Sequence, residues 1–202
     1  MKPLRRIGSP KLAYSFGSVL LIGAVVSGVF TQDTRWMRWH FSRLGEGGTF
    51  SSLIFNITLI ISALLMINLA ITIKESISKI PSDTLNAKAK NTAEKIYFRA
   101  FCYITFCLVG VAIFPFDRFP VIHNIFGYSM LFTFLYLCVA TSRLLPIFSE
   151  KFYKFGYSII VLTIILYVFF LGFQSVTLLF VEMIILICLY VWLLIFIKGI
   201  HR

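Results

Sequence analysis

The residues best able to bind a charged ligand or move a proton lie near one end of four apolar runs. Guanidinium groups can bind anions through paired hydrogen bonds, and imidazole and carboxylate groups can exchange protons. We expect any activity to reside in this set, which we call the predicted polar cluster. Its members are Arg43, Glu46, Asn56, Asp117, Arg118, His123, Asn124 and Glu182.

Glu182 is the most informative of these residues because it lies inside the apolar run 176–197. It follows the start of that run by about six residues, or roughly 9 Å along a helix. An ionised carboxylate in an apolar medium is costly, so it must be protonated, face other helices or pair with a cation. We expect Arg43 or Arg118, together with His123, to be its partner. A role in joining helices, a ligand contact and a proton relay all remain open.

His40 and His123 are the only metal-ligand candidates on that side, and the pattern is weak. Neither has a second histidine at i+3 or i+4, and the third histidine, His201, is at the opposite end. Ser42 lies two positions after His40, but closeness in sequence is not a catalytic triad. The sequence also lacks GxSxG, P-loop and HExxH motifs. We therefore expect no cofactor and no metal, and a capping or hydrogen-bonding role for each histidine.

The composition predicts that these residues are positioned by membrane-spanning elements. The chain of 202 residues is 59% hydrophobic and 13% charged, whereas soluble domains carry about 25% charge. The mean hydropathy is +0.90. The net charge of +11 comes from short basic stretches between apolar runs. This distribution is typical of loops at an anionic membrane surface, and it argues against nucleic acid as a partner.

Six apolar runs are each long enough to cross a bilayer as a helix. Because backbone groups in lipid need internal partners, and the runs lack the alternation of a β-barrel, the predicted fold is all-α. It is a polytopic six-helix bundle forming one domain, 12–197, between an N-terminal segment, 1–11, and a tail, 198–202. The first run is expected to remain as an anchor, and residues 74–96 to form a turn and a helical extension of the third span. The predicted spans are 12–30, 51–73, 97–115, 123–145, 156–173 and 176–197.

The positions of Lys and Arg predict the orientation. Of the 19 basic residues, only Arg35, Arg38, Arg43 and Arg118 fall on the side that would be outside if the N-terminus were inside. Basic residues favour the cytoplasmic side of a membrane. Both termini are therefore predicted to be cytoplasmic, and the predicted polar cluster faces outward.

The first outward loop, 31–50, mixes aromatic and basic residues. Trp36, Trp39 and Phe41 interleave with arginines, a composition that suits the lipid headgroup layer. Three glycines follow before the second span. We expect this segment to lie along the membrane interface.

Two short motifs resemble those of a known family. The first is Phe41 to Glu46 (FSRLGE) followed by Phe55-Asn56, and the second runs from Gly110 through Phe114-Pro115 to His123-Asn124 and Gly127. They resemble motifs of the DUF998 family of six-span prokaryotic membrane proteins and are more distantly similar to the Frag1/DRAM/Sfk1 group.

The resemblance implies six spans, an outward polar face and the cytoplasmic membrane of a prokaryote, but no established activity. Arg43, Glu46 and His123 fall on the motif positions, whereas Glu182 matches no motif of the family. Members of the Frag1-like group are associated with lipid remodelling or membrane organisation, which favours membrane lipids as partners.

Three functional hypotheses follow. The first is a non-catalytic protein that binds lipid or a partner protein through the outward cluster; an accessory subunit of a membrane complex is one form of this hypothesis. The alternative is an intramembrane lipid hydrolase or transferase centred on His123 with Glu46, Asp117 or Glu182. The third is a small carrier that uses Glu182 as its coupling group, although internal repeats typical of carriers are missing.

The predicted orientation can be tested with single cysteines at Thr34 and Ser82, after replacement of the native Cys102, Cys107, Cys138 and Cys188. A membrane-impermeant maleimide should label position 34 in whole cells and position 82 only after lysis, because the positive-inside bias places them on opposite sides. The reverse labelling pattern would contradict the orientation.

Overall fold

A computed structural model describes residues 9–31, 34–172 and 177–201. That part of the chain folds into six long α-helices, with two short 3-10 helices between the first and the second, and contains no strand. The α-helices are α1 (Ser9–Phe30), α2 (Phe50–Ser78), α3 (Ala87–Ile113), α4 (Pro120–Leu144), α5 (Glu150–Gly172) and α6 (Leu178–Ile200).

All six helices are long and apolar enough to cross a membrane, which confirms the six-span prediction. The helices are longer than several of the predicted runs, since α2 continues to Ser78 and α3 begins at Ala87. The start of α3 matches the predicted helical extension. Residues 1–8, 173, 176 and 202, which belong to the predicted N-terminal segment, fifth span, sixth span and tail, lie outside the described residues.

Local sequence signals set the starts of the helices. The side chains of Thr49, Asn86 and Thr177 accept hydrogen bonds from backbone N–H groups three residues later, at 3.2, 2.8 and 3.3 Å. Such caps satisfy donors that have no partner in the first helical turn. Pro120 occupies the first turn of α4, where the missing N–H of proline costs nothing.

An aromatic stack fills the interior toward the end of the bundle where α3 and α5 begin and α6 ends. Trp192 and Phe196 of α6 stack at 5.2 Å, Tyr97 of α3 lies on Phe196 at 4.9 Å, and Phe152 of α5 lies on Trp192 at 5.7 Å. The hydroxyl groups of Tyr97 and Thr141 are hydrogen-bonded at 2.6 Å, which joins α3 to α4. Large apolar side chains such as Leu171, 80% exposed, project outward, as expected for a surface that faces lipid.

Glycines allow close contacts between neighbouring helices. A Cβ atom at Gly23 of α1 would collide with Thr58 of α2, and one at Gly110 of α3 would lie 2.5 Å from the ring of Phe126 on α4. Small residues at such crossings are typical of helix packing in membranes. Gly110 thus lets α4 pack closely on α3 near the end of the bundle that carries the polar residues.

We predict that Gly110→Ala lowers the melting temperature in detergent, because overpacking costs about 1–3 kcal/mol. Gly127→Ala is the matched control, since nothing lies within 4 Å of a Cβ at that helical position. That change should be neutral or stabilising by up to about 1 kcal/mol, because alanine is the better helix former. Equal effects of the two changes would contradict this packing.

Candidate functional site

The predicted polar cluster lies at the end of the bundle where α2, α4 and α6 begin. We call this the first-loop end; it comprises residues 34–49, the α3–α4 turn 114–119 and the start of α6. Two 3-10 helices, Thr34–Arg38 and Phe41–Gly45, fold the first loop over the helices. The loop therefore forms a layer on the bundle instead of projecting from it.

The start of α6 is hydrogen-bonded to the first loop on both sides of His40. The backbone N–H of Leu179 donates to the carbonyl of Trp39 at 2.9 Å. The backbone N–H of Phe41 donates to Oε2 of Glu182 at 2.6 Å. These two bonds fix the residues before and after His40.

This arrangement corrects the expected partner of Glu182. The sequence predicted an arginine or His123, but the structure gives its carboxylate a backbone donor, Phe41 N–H. Arg43 forms an ion pair with Glu46, with 3.1 Å between Nη1 and Oε2. Of the three roles left open by the sequence, joining elements is the one that this geometry supports.

His40 lies between a hydroxyl and a carboxylate. Its Nδ1 atom is 2.9 Å from Oγ of Ser42, and its Nε2 atom is 3.5 Å from Oε1 of Glu46. His40 is 8% exposed, and its ring packs edge-on against Phe116 of the α3–α4 turn at 4.8 Å between centroids. The imidazole is therefore held on three sides.

Burial, followed by the positive charge of Arg43 and the nearby His123, lowers the pKa of His40 to about 4. His40 is therefore neutral at physiological pH. One ring nitrogen can then donate a hydrogen bond and the other can accept one.

His123 closes the α3–α4 turn. Its Nδ1 atom is 2.8 Å from the carbonyl oxygen of Phe114, and its ring lies 5.9 Å from that of Phe116. Phe116 thus separates the two histidine rings. Among the described residues, no group of three His, Cys, Asp or Glu side chains is placed to hold a metal ion.

The first sequence motif is a contact between the loop and α2. The side-chain amide of Asn56 donates to the carbonyl of Gly45 at 3.2 Å, and the ring of Phe55 packs against that of Phe41 at 5.2 Å. A Cβ at Gly45 would lie 2.6 Å from Oδ1 of Asn56. Glycine is required here because the loop backbone lies directly on the α2 side chains.

A polar cavity opens beside this contact, between the loop and the α3–α4 turn. The N–H of Gly47 donates to Oδ2 of Asp117 at 3.1 Å. Gly47 and Gly48 have φ angles of +80° and +63°, values that favour glycine. The cavity volume is about 220 Å³. Its lining includes Gly45, Gly48, Ser52, Asn56, Asp117 and Arg118.

Five members of the predicted polar cluster belong to two sites. Asn56, Asp117 and Arg118 line the polar cavity, whereas Arg43 and Glu46 belong to the group around His40. His123 and Glu182 are instead hydrogen-bonded to backbone groups of Phe114 and Phe41. Asn124 is exposed on α4 and, within the described part of the chain, forms no hydrogen bond to either site.

The interfacial residues also differ from one another. Trp39 is 53% exposed, while Trp36 and Phe41 pack against the core.

Backbone groups of Phe41, Gly47 and Phe114 complete the sites. Sequence reasoning missed them, because every residue type except proline carries the same amide and carbonyl groups.

The fold and the polar end define a polytopic α-helical membrane protein with a structured loop at one end. The sequence profile of a family described as "Protein of unknown function (DUF998)" matches residues 16–197. The chain therefore belongs to this family. No curated protein and no solved structure matches the chain.

We predict that Glu182→Ala destabilises the protein more than Glu182→Gln. Alanine leaves the buried Phe41 N–H without its acceptor, which costs about 1–3 kcal/mol. The glutamine carbonyl can still accept the bond. The measurement is the melting temperature in detergent.

Glu150→Ala is the control, because the Glu150–Lys154 pair is exposed and should contribute little. If Glu182→Ala melted like the control, the bond between α6 and the first loop would not be a significant source of stability.

Proposed function

We propose that the protein binds a phospholipid with a zwitterionic headgroup at its first-loop end. The ammonium group of a phosphoethanolamine-type headgroup lies against the carboxylate of Asp117, and the phosphate against the guanidinium of Arg118. The observation that carries this proposal is the presence of these opposite charges in the wall of one polar cavity, which we call the headgroup pocket.

The electrostatics of the pocket favour a ligand that carries both charges. Asp117 accepts one hydrogen bond, from Gly47 N–H, and an ionised carboxylate has further acceptor sites. Arginine is well suited to phosphate because its planar guanidinium can form two parallel hydrogen bonds. A purely anionic headgroup would be repelled by Asp117, and a purely cationic one by Arg118.

The size and surroundings of the pocket favour a headgroup over a soluble ligand. A volume of about 220 Å³ is below the range of about 300–1,000 Å³ typical of small-molecule sites, so a whole lipid cannot be enclosed. Ile113 and Phe119 line the same cavity and are 56% and 43% exposed. The acyl chains can therefore lie along the apolar outside of the bundle while only the headgroup enters.

The carrier hypothesis receives less support. A coupling carboxylate must exchange its proton or ion during transport, whereas Glu182 is hydrogen-bonded to the backbone of Phe41. Its role in joining α6 to the loop explains its position without transport. Lipid binding uses a different set of residues and leaves this bond intact.

The proposal predicts selective lipid binding that depends on both charges. Native mass spectrometry of the detergent-purified protein, titrated with dioleoyl phosphatidylethanolamine or dioleoyl phosphatidylglycerol, should show tighter binding of the former. Asp117→Asn and Arg118→Gln should each weaken that binding by about ten- to a hundredfold, as expected for the loss of a charge-assisted hydrogen bond worth about 1.5–3 kcal/mol.

Arg143→Gln is the matched control, because Arg143 is exposed at the last turn of α4, on the opposite end of the bundle. It should bind phosphatidylethanolamine like the wild type. Unchanged binding by both pocket variants, or equal binding of the two lipids by the wild type, would contradict the proposal.

A further inference from the structure

The group around His40 has a geometry that the sequence alone did not predict. Ser42 Oγ lies 2.9 Å from Nδ1 of His40, within hydrogen-bond distance, and Glu46 Oε1 lies 3.5 Å from Nε2 on the other side of the ring, in a contact that is not a hydrogen bond. A hydroxyl in contact with a base, which is oriented in turn by a third group, is the arrangement of an activated nucleophile. Such a triad is recognised by geometry and not by its order in the sequence.

We infer that Ser42, His40 and Glu46 form a hydrolytic site for carboxylic esters of membrane amphiphiles, with Ser42 as the nucleophile and His40 as the general base. Glu46 is a positioning residue that orients the imidazole and stabilises its positive charge. This inference is separate from lipid binding in the headgroup pocket, because it uses none of the charged groups of that pocket.

The local backbone explains how residues so close in sequence reach this geometry. His40 is extended, with φ −149° and ψ 157°, and the 3-10 helix Phe41–Gly45 starts directly after it. The tight turn brings Ser42 back to the His40 ring and places Glu46 on its other side. The imidazole does not cap that helix, so the contact with Ser42 is not a by-product of capping.

The protonation state suits the role of a base. His40 is neutral at physiological pH for the reasons given above, so Nδ1 can accept a proton in the tautomer that carries its hydrogen on Nε2. The charged or titratable groups around it are Glu46 and Arg43 on the loop, and His123 on α4. Phe116 packs against the ring and limits its rotation.

The reaction balances without a metal or an external redox partner. Ser42 Oγ attacks the ester carbonyl carbon, its proton passes to His40 Nδ1, and the carbon–oxygen bond to the alcohol breaks as the alcohol takes that proton. Water then attacks the acyl-serine, gives its proton to His40 and releases the carboxylic acid, after which Ser42 regains the proton. One ester and one water thus yield one acid and one alcohol.

The position of the group favours an amphiphilic ester. Ser42 is half-buried, and exposed Trp39 and Met37 lie on the same loop. Exposed aromatic side chains of this kind favour the membrane interface. Ester groups that link acyl chains to a headgroup lie at that depth, between the polar and apolar layers.

The test is labelling of the full-length protein in detergent with a fluorophosphonate probe, whose phosphorus bonds to an activated serine oxygen with loss of fluoride. The wild type should be labelled, and peptide mass spectrometry should locate the adduct on Ser42. Ser42→Ala should abolish the label, and His40→Gln should lower the rate by about a hundredfold, within the usual range for general base catalysis. Ser158→Ala, an exposed serine on α5, should label like the wild type.

The role of Glu46 is tested by Glu46→Gln and Glu46→Asp. A positioning role predicts slower labelling for glutamine and partial rescue by aspartate, in variants that elute like the folded wild type. A second readout is hydrolysis of p-nitrophenyl butyrate, which should be lost in Ser42→Ala while binding of phosphatidylethanolamine is retained. Lost hydrolysis with retained binding shows that the hydrolytic site and the headgroup pocket are tested independently of each other.

Two results would overturn the inference. One is an unlabelled wild type that is folded, as judged by its melting temperature and elution volume. The other is a label that persists in Ser42→Ala.

Discussion

The arrangement of the first-loop end depends on the attachment of the loop to the start of α6. Leu179 N–H binds the carbonyl before His40, and Glu182 accepts from the N–H after it. The second bond has an ionised or polar acceptor in a largely apolar setting, where an unpaired N–H would be costly. The loop is the longest connection at this end, and an unattached loop of mixed aromatic and basic residues would be free to leave the bundle. Together with the Gly45–Asn56 and Gly47–Asp117 hydrogen bonds, this attachment fixes the backbone that carries the polar side chains of the loop.

The two sequence motifs have a common physical basis, because each consists of residues that contact one another. In the first, Asn56 binds the carbonyl of Gly45 and Phe55 packs on Phe41. In the second, His123 binds the carbonyl of Phe114, and Gly110 admits the ring of Phe126. The first motif therefore attaches the loop to α2, and the second stabilises the α3–α4 turn. Phe116, which lies within the second motif, contacts the His40 ring.

The sequence predicted the number and type of the spans because hydropathy and helix length act along the chain, without reference to tertiary contacts. It also identified most of the charged residues at the first-loop end. It could not predict their partners. Glu182 was expected to meet an arginine, but Arg43 pairs three residues away with Glu46, and Phe41 supplies a backbone N–H instead. Ser42 and His40 were close in sequence, yet only the extended His40 backbone and the following turn place Glu46 on the opposite side of the ring.

The two proposed sites share one short segment of backbone. Gly45 receives the Asn56 amide, Glu46 faces His40, and Gly47 donates to Asp117. Three consecutive residues are thus held by α2, by the His40 group and by the α3–α4 turn. The positive φ angles of Gly47 and Gly48 turn the chain into α2 directly afterwards. A shift of this segment relative to one of its three partners therefore also shifts it relative to the other two. A headgroup that drew Asp117 away from Gly47 would shift the backbone that carries Glu46. The positions of Glu46 and Asp117 are therefore mechanically linked, although each side chain belongs to a different site.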